Sequence, residues 1–238
     1  MNIALIGYGS MGRMVEAKAR ERGHSIVTII NEHHSSLDAE HLGESLRAAD
    51  VAIDFSAAYA VSRNVSACMA AGLPLVQGTT GWNNGLDEIR SIVAANNGAM
   101  VYGANFSVGV NLFYRIVENA ARLLAKFPEY EAFIEEQHHS RKKDSPSGTA
   151  LKLKDIVATH INVEFGVTST RAGHIPGTHT VGFDGPADQI RLEHSARSRD
   201  GFALGSLIAA EWIVGKTGVY EFGQVVNEII GVKGERDG

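Results

Sequence analysis

The chain has 238 residues, 44% hydrophobic and 21% charged, enough for a full core and a length at which two modest domains sharing a cleft are favoured over one. Its net charge of -5 provides no overall basic field, which argues against nucleic acid or an acidic membrane as the main partner and makes any anion site a local one. Cys68 is the single cysteine, which excludes an internal disulfide framework and fits a reducing compartment; with no basic n-region in MNIALIGYGS and no bilayer-length apolar run, a cytoplasmic protein is expected.

Along the first hundred residues short β-rich runs alternate with helical stretches that end in glycine. Ile3 to Ile6 reads as a strand, Gly12 to Arg22 as a helix closed by Gly23, and Ile26 to Ile30 as a second strand. Val51 to Phe55 is the third strand, followed by a helix from about Tyr59 to Ala71. Leu75 to Gln77 and Ala99 to Tyr102 read as further strands flanking a helix around Leu86 to Asn96. This order predicts an α/β fold with a Rossmann-type, doubly wound parallel sheet, expected as a dinucleotide-binding domain over residues 1–104.

After Asn105 the pattern changes. A long amphipathic helix, Val110 to Lys126, leads to a strand at Phe133 to Gln137, a loop, another helix and two alternating strands near Thr168 to Phe183 and Gln189 to Ser198. Strands without intervening helices suggest a mixed or antiparallel sheet, hence a smaller α+β domain, expected over residues 105–214. Ala203 to Val214 reads as an apolar helix, and Tyr220 to Ile230 as a final amphipathic helix whose place the pattern does not fix.

The segment Gly7-Tyr8-Gly9-Ser10-Met11-Gly12 is a GxGxxG that follows a strand and opens a helix. The first glycine permits a tight turn, the second lets the backbone approach a pyrophosphate, and the third allows close helix packing, while the helix N-terminus offers free N–H groups to phosphate. Glu32, twenty residues past Gly12, is placed either to accept hydrogen bonds from a ribose, which favours NADH, or as a solvated loop carboxylate; His33 and Arg13 leave a 2′-phosphate open. Asp54-Phe55-Ser56 and Gly78-Thr79-Thr80-Gly81 follow strands of the same sheet, at the carboxyl ends where open α/β folds bind ligands; ordinary turn chemistry accounts for the GTTG segment equally well. Ala104-Asn105-Phe106-Ser107 reads as a hinge and a further cofactor contact.

The densest constellation is Glu135-Glu136-Gln137-His138-His139-Ser140-Arg141-Lys142-Lys143-Asp144-Ser145-Pro146-Ser147-Gly148-Thr149-Ala150. Small hydroxyl-bearing residues at a helix entry suit a carboxylate, a lysine adds a point charge, and a histidine is the natural general acid near neutral pH. A charged, solvated loop is the alternative reading. Metal ligation is not expected, since there is no nearby cysteine and no His-x-x-x-His pair; a G-x-S-x-G elbow is also missing.

The run EEQHHSRKKDSPSGTA resembles the E-x-HHxxKxDxPSGTA motif of the dihydrodipicolinate reductase family, and DFS, GTTGW, ANFSVGVNL, RAGHIPGTHTV and HSARSRDGFALGS resemble further segments of that family in its order. The resemblance implies reduction of 4-hydroxy-tetrahydrodipicolinate, a small cyclic dicarboxylate, to tetrahydrodipicolinate with loss of water, using NADH or NADPH, in diaminopimelate and lysine biosynthesis. It implies His138 as proton donor, Lys142 as a second catalytic-site residue that contacts substrate together with His139, and Ser147, Gly148 and Thr149 on a substrate carboxylate. A homotetramer formed through the second domain's sheet, and a final segment, residues 215–238, returning to the first domain, are also implied. The chain departs from the family in a shorter glycine loop, with Arg13 after the third glycine, and in Glu32-His33 after the second strand; both bear on the choice of cofactor. An amino-acid dehydrogenase of the aspartate or diaminopimelate type and a redox-sensing NAD-binding module are the competing classes.

Overall fold

The computed structural model describes residues 1–232, and the chain divides into two compact units, Met1–Val108 with Asp200–Gly238, and Gly109–Arg199. The first unit opens with β1 (Asn2–Ile6), α1 (Ser10–Glu21), β2 (Ser25–Ile30), α2 (Ala39–Leu46), β3 (Val51–Asp54), α3 (Val61–Ala70), β4 (Leu75–Gln77), α4 (Leu86–Ala95) and β5 (Ala99–Tyr102). Strand β1 pairs in parallel with β2 on one side and β3 on the other, and β3, β4 and β5 follow in order. The chain therefore reverses its direction of winding between β1 and β3, which makes their carboxyl ends the switch point of the sheet. One sheet face, Ala4, Ile6, Ala52, Leu75 and Met100, packs on Leu42 and Leu46 of α2, Val65, Cys68 and Met69 of α3, and Ile89 and Val93 of α4. Burial, then the nearby Asp54 charge, push the Cys68 thiol well above its ordinary pKa, so it is inert packing.

The second unit contains α5 (Val108–Leu124, beginning at the boundary), β6 (Glu131–His138), α6 (Gly148–Ala158), β7 (Val167–Arg171), β8 (Thr178–Asp184) and β9 (Gln189–Ser195). The sheet order is β7-β6-β8-β9, with β7 parallel to β6 and the other pairs antiparallel. The stretch read as one strand near Thr168 to Phe183 is two, because Gly173 and Gly177 adopt φ of +48° and +139° and break it with a turn. Phe113, Val117 and Ala121 of α5 and Ala150, Leu153 and Val157 of α6 cover Ala132, Ile134, Val181 and Phe183. Since strand side chains alternate, the buried face of β6 continues from Ala132 and Ile134 into Glu136 and His138. An apolar row thus ends in two ionisable groups.

Next come α7 (Asp200–Ile213), β10 (Gly218–Glu221) and α8 (Phe222–Ile229). Two expectations are corrected here. The second unit ends at Arg199, not near 214, because α7 is apolar nearly all round and packs on α1 and on β3, β4 and β5 of the parallel sheet. Tyr220 and Glu221 are not helical: β10 pairs in parallel with β5 and completes the order β10-β5-β4-β3-β1-β2. Helix α2 was not anticipated either; a short, glycine-containing stretch carries little periodic signal.

Candidate active site

In the first unit the glycine loop joins β1 to α1 at the switch point, and its three glycines have separate tasks. Gly7 has φ of +86°, and a Cβ on it would meet the Phe55 carbonyl oxygen at 2.3 Å; a Cβ on Gly12 would meet the Gly7 carbonyl oxygen at 2.3 Å. Those two close the turn. Around Gly9 a Cβ would meet nothing within 4 Å; it is the N-cap of α1, with no side-chain cap and no acidic residue in the first turn. The open space lies where a pyrophosphate would meet free N–H groups, so the residues present fit a dinucleotide. Gly9 and Ser10 are exposed and Met11 is half-buried. Tyr8 turns its hydroxyl to Glu16, so its side chain braces α1. Exposed Glu32 opens a short turn directly after β2, capped by Asn31.

The neighbouring loops are held by Asp54, which is fully buried. Its carboxylate accepts from Ser56 N at 2.8 Å, Thr79 Oγ1 at 3.1 Å, Asn64 Nδ2 at 2.9 Å and Gln77 Nε2 at 3.0 Å. Thr79 also donates its N–H to Gln77 Oε1, and its carbonyl accepts from Trp82 Nε1. Its polar groups therefore bind the β3 and β4 ends together. Gly78 is required because a Cβ would sit 2.1 Å from the Phe55 ring, while Thr80 and Ala104 are exposed and Asn105 is half-buried. Phe106 is core: its ring packs on Phe55 and Phe222, and its carbonyl is so close to Gly205 that a Cβ there would lie at 1.7 Å. The Thr79 and Phe106 side chains are thus engaged within the unit, by hydrogen bonds in one case and by ring packing in the other.

In the second unit three elements, β6, β7 and the α6 entry, converge on Glu136, which is 1% exposed. One carboxylate oxygen accepts from Arg171 Nη2 at 2.6 Å and from Ser147 N at 3.3 Å, and the other takes Nδ1 of His138. Burial opposes ionisation of Glu136, but the hydrogen bonds from Arg171, Ser169 and His138 outweigh it and hold the pKa down to about 2. An ionised carboxylate only accepts, so Nδ1 of His138 carries a proton and Nε2 is its working nitrogen. A Cβ on Gly177 would lie 3.1 Å from that Nε2; glycine leaves it uncovered. Burial lowers the His138 pKa below the ordinary histidine value, and the bond to Glu136 offsets part of that.

Ser147 is the N-cap of α6: its Oγ accepts from Ala150 N at 3.2 Å and lies 3.0 Å from Nε2 of His179. The ring of His179 meets that of His138 edge-on, 5.1 Å between centroids. Burial, then the His138 charge, depress the His179 pKa to about 4, so it is neutral at physiological pH. Lys142 pairs with Asp144 at 2.8 Å, and Nδ1 of His139 is buried without a hydrogen-bond partner. Gly148 is exposed and Thr149 half-buried at the first turn of α6. The fold thus gathers His138, Ser147 and the α6 entry, but Ser147, 2% exposed, uses its hydroxyl internally, and the Gly148 backbone N–H, like Lys142, is engaged by the Asp144 carboxylate.

Glu136, Arg171 and His179 are the residues that sequence reasoning missed. The alternation E-x-H puts Glu136 and His138 on one strand face, a usable signal; nothing local links Arg171 or His179 to them. Glu136, His138 and His179 also offer ligand atoms within 4.8 Å of one another, a grouping that a metal could use. Here Glu136 is taken up by a guanidinium, an N–H and an imidazole, and His179 Nε2 by Ser147, so the donor set is that of a proton network.

Family models described as dihydrodipicolinate reductase, N-terminus and C-terminus, match residues 1–106 and 109–226. The chain belongs to the dihydrodipicolinate reductase family. It is 37% identical to the 4-hydroxy-tetrahydrodipicolinate reductase of Christiangramia forsetii, over 96% of this chain and 99% of that one. The enzyme of the same name from Archaeoglobus fulgidus is also 37% identical, over 92% and 97%. Among solved structures, a dipicolinate-bound dihydrodipicolinate reductase from a Paenisporosarcina species has a TM-score of 0.76 at 20% identity, covering 93% of this chain and 97% of that one, a likeness of fold. Family membership separates this chain from the dehydrogenases that share a parallel nucleotide-binding sheet.

Proposed function

We propose that the chain reduces 4-hydroxy-tetrahydrodipicolinate to tetrahydrodipicolinate with loss of water, using NADH or NADPH, in diaminopimelate and lysine biosynthesis. The observation that carries this reading is the Glu136–His138 pair at the α6 entry, in a chain of this family: a buried carboxylate fixes Nδ1 of the histidine and leaves Nε2 to exchange a proton. The Gly7–Gly12 loop and Glu32 would hold the dinucleotide, whose nicotinamide supplies the hydride when bound. Lys142 and the backbone at Gly148 and Thr149, with the positive end of the α6 dipole, would take a substrate carboxylate in exchange for that of Asp144, which Lys142 and Gly148 hold in the free protein, and His139 the rest of the ring's polar edge. A bound dianion stabilises the imidazolium of His138 against the burial that disfavours it. His138 then donates its Nε2 proton to the ring carbon beside the hydride acceptor and is reprotonated from solvent after product leaves.

The test is a coupled assay in which a synthase supplies the unstable substrate and oxidation of NADH or NADPH is followed. His138→Gln should lower kcat by roughly 10²–10⁴-fold with cofactor affinity nearly intact, and near-normal kcat would remove His138 as the donor. Pyridine-2,6-dicarboxylate, the compound carried by the Paenisporosarcina structure, should compete with substrate and lose affinity on Lys142→Ala. We further infer a cytoplasmic homotetramer, supported by the exposed sheet face that carries Thr168, Thr170, Arg191 and Glu193; light scattering measures its mass.

A further inference from the structure

The reaction read above uses His138, Lys142 and the α6 entry, yet the most deeply buried imidazole of the unit lies beside them with no task. His179 stands in the middle of the sheet, paired across the antiparallel ladders with Glu136 on β6 and with His194 on β9, and it is 5% exposed. The ionisable groups around it are Glu136 and His138 of β6, Lys142 of the following loop and His194 of β9, with the Ser147 hydroxyl reaching it from α6.

The Ser147 oxygen already accepts the Ala150 N–H. Its own proton needs an acceptor, and among the described residues the one within reach is Nε2 of His179. A neutral, Nδ1-protonated His179 provides that acceptor; a charged one would not, and would also set a second positive ring 5.1 Å from the His138 ring. Burial keeps His179 in the neutral form.

We propose that His179 is a positioning residue for this reaction: as a neutral imidazole it holds the Ser147 hydroxyl, so setting the backbone of the α6 entry that receives a substrate carboxylate, while its ring flanks His138. Ser147 joins both sides of the site, since its N–H goes to the carboxylate that orients His138 and its oxygen caps the helix that meets the anion. His179 acts through Ser147 on substrate affinity.

The inference rests on the reaction assigned above, and the experiment separates the two. KM, kcat and inhibition by pyridine-2,6-dicarboxylate are measured in the coupled assay for the wild type, His179→Phe and His179→Gln, with NADH affinity and the melting curve as checks of fold. His179→Phe keeps a ring but loses the acceptor; it should raise KM and the inhibitor constant about tenfold, the scale of one hydrogen bond, with saturated kcat much less affected and NADH affinity unchanged. His179→Gln, whose amide oxygen can accept the Ser147 proton, should recover most of the loss. If the Phe variant does not fold, His179→Asn, too short to reach Ser147, gives the same comparison. Wild-type KM and inhibitor affinity in the Phe or Asn variant would overturn the assignment, as would an equal loss in Phe and Gln. A wild type without turnover would instead overturn the assigned reaction, and this inference with it.

Discussion

Replacing Glu136 with Gln keeps the side-chain shape and removes the charge that faces His138. Two unit charges about 4 Å apart interact by about 4 kcal/mol at an effective dielectric constant of about 20. Arg171 shares the same carboxylate at 2.6 Å and cancels part of its field, so roughly half of that, about 2 kcal/mol, remains for the imidazolium. The His138 pKa should fall further, and kcat near neutral pH by about 30-fold, the equivalent of that 2 kcal/mol. A general acid works in its protonated form, so the deficit narrows as pH is lowered and the variant histidine recovers its proton. The coupled assay, run from about pH 5 to 8 at saturating substrate, reads both features. The substitution also leaves Arg171 without its carboxylate; its side chain is 17% exposed, and a stability loss of about 2–3 kcal/mol in urea is expected, below the full cost of breaking a buried pair. A kcat ratio that is the same at every pH would refute the argument, because a merely structural defect does not titrate with His138.

Gly9→Val should leave the urea midpoint near the wild-type value, since its Cβ meets open space, yet weaken NADH and NADPH together by more than about tenfold in a fluorescence titration, because it obstructs the shared pyrophosphate. Gly12→Ala should do the reverse first: its Cβ would lie 2.3 Å from the Gly7 carbonyl oxygen, costing on the order of 2 kcal/mol of stability by calorimetry. Titration with both cofactors tests Glu32; NADPH bound more than about tenfold more tightly than NADH, about 1.4 kcal/mol, would remove its ribose role. Several groups of the second unit have depressed pKa values and destabilise it in acid, His179 and Glu136 the most strongly. The contribution of His179 is complete above its unfolded pKa of about 6.5 and is lost as pH falls through its folded value of about 4; that of Glu136 is complete above about 4.5 and is lost on approach to about 2. Urea midpoints should therefore fall from about pH 6 downward, and His179→Phe should flatten the first part of that decline.

What could be read along the chain was whatever a local period or a contiguous motif encodes. The alternation of strands with glycine-closed helices specified the parallel sheet, GxGxxG a turn suited to an anion, and the HHSRKKDSPSGTA run a candidate general acid, because each is a pattern among neighbours within a few residues. Tertiary structure decided the rest. Helix α7 is apolar on most sides, so its pattern could not say which sheet it covers, and β10 is four residues long, too short to be told from the start of the helix that follows. Thr79 and Phe106 lie within motifs that suit a cofactor, but hydrogen bonds to Asp54 and Gln77 in one case and ring packing in the other claim their side chains. Arg171 and His179 reach Glu136 and Ser147 across 35 and 32 residues, through strand pairings that only the folded sheet sets. The sequence by itself determined which groups are available for catalysis; the register of β6 with β7 and β8 decided which of them share one buried charge network, since a carboxylate and two imidazoles acquire shifted proton affinities only when folding removes water from between them.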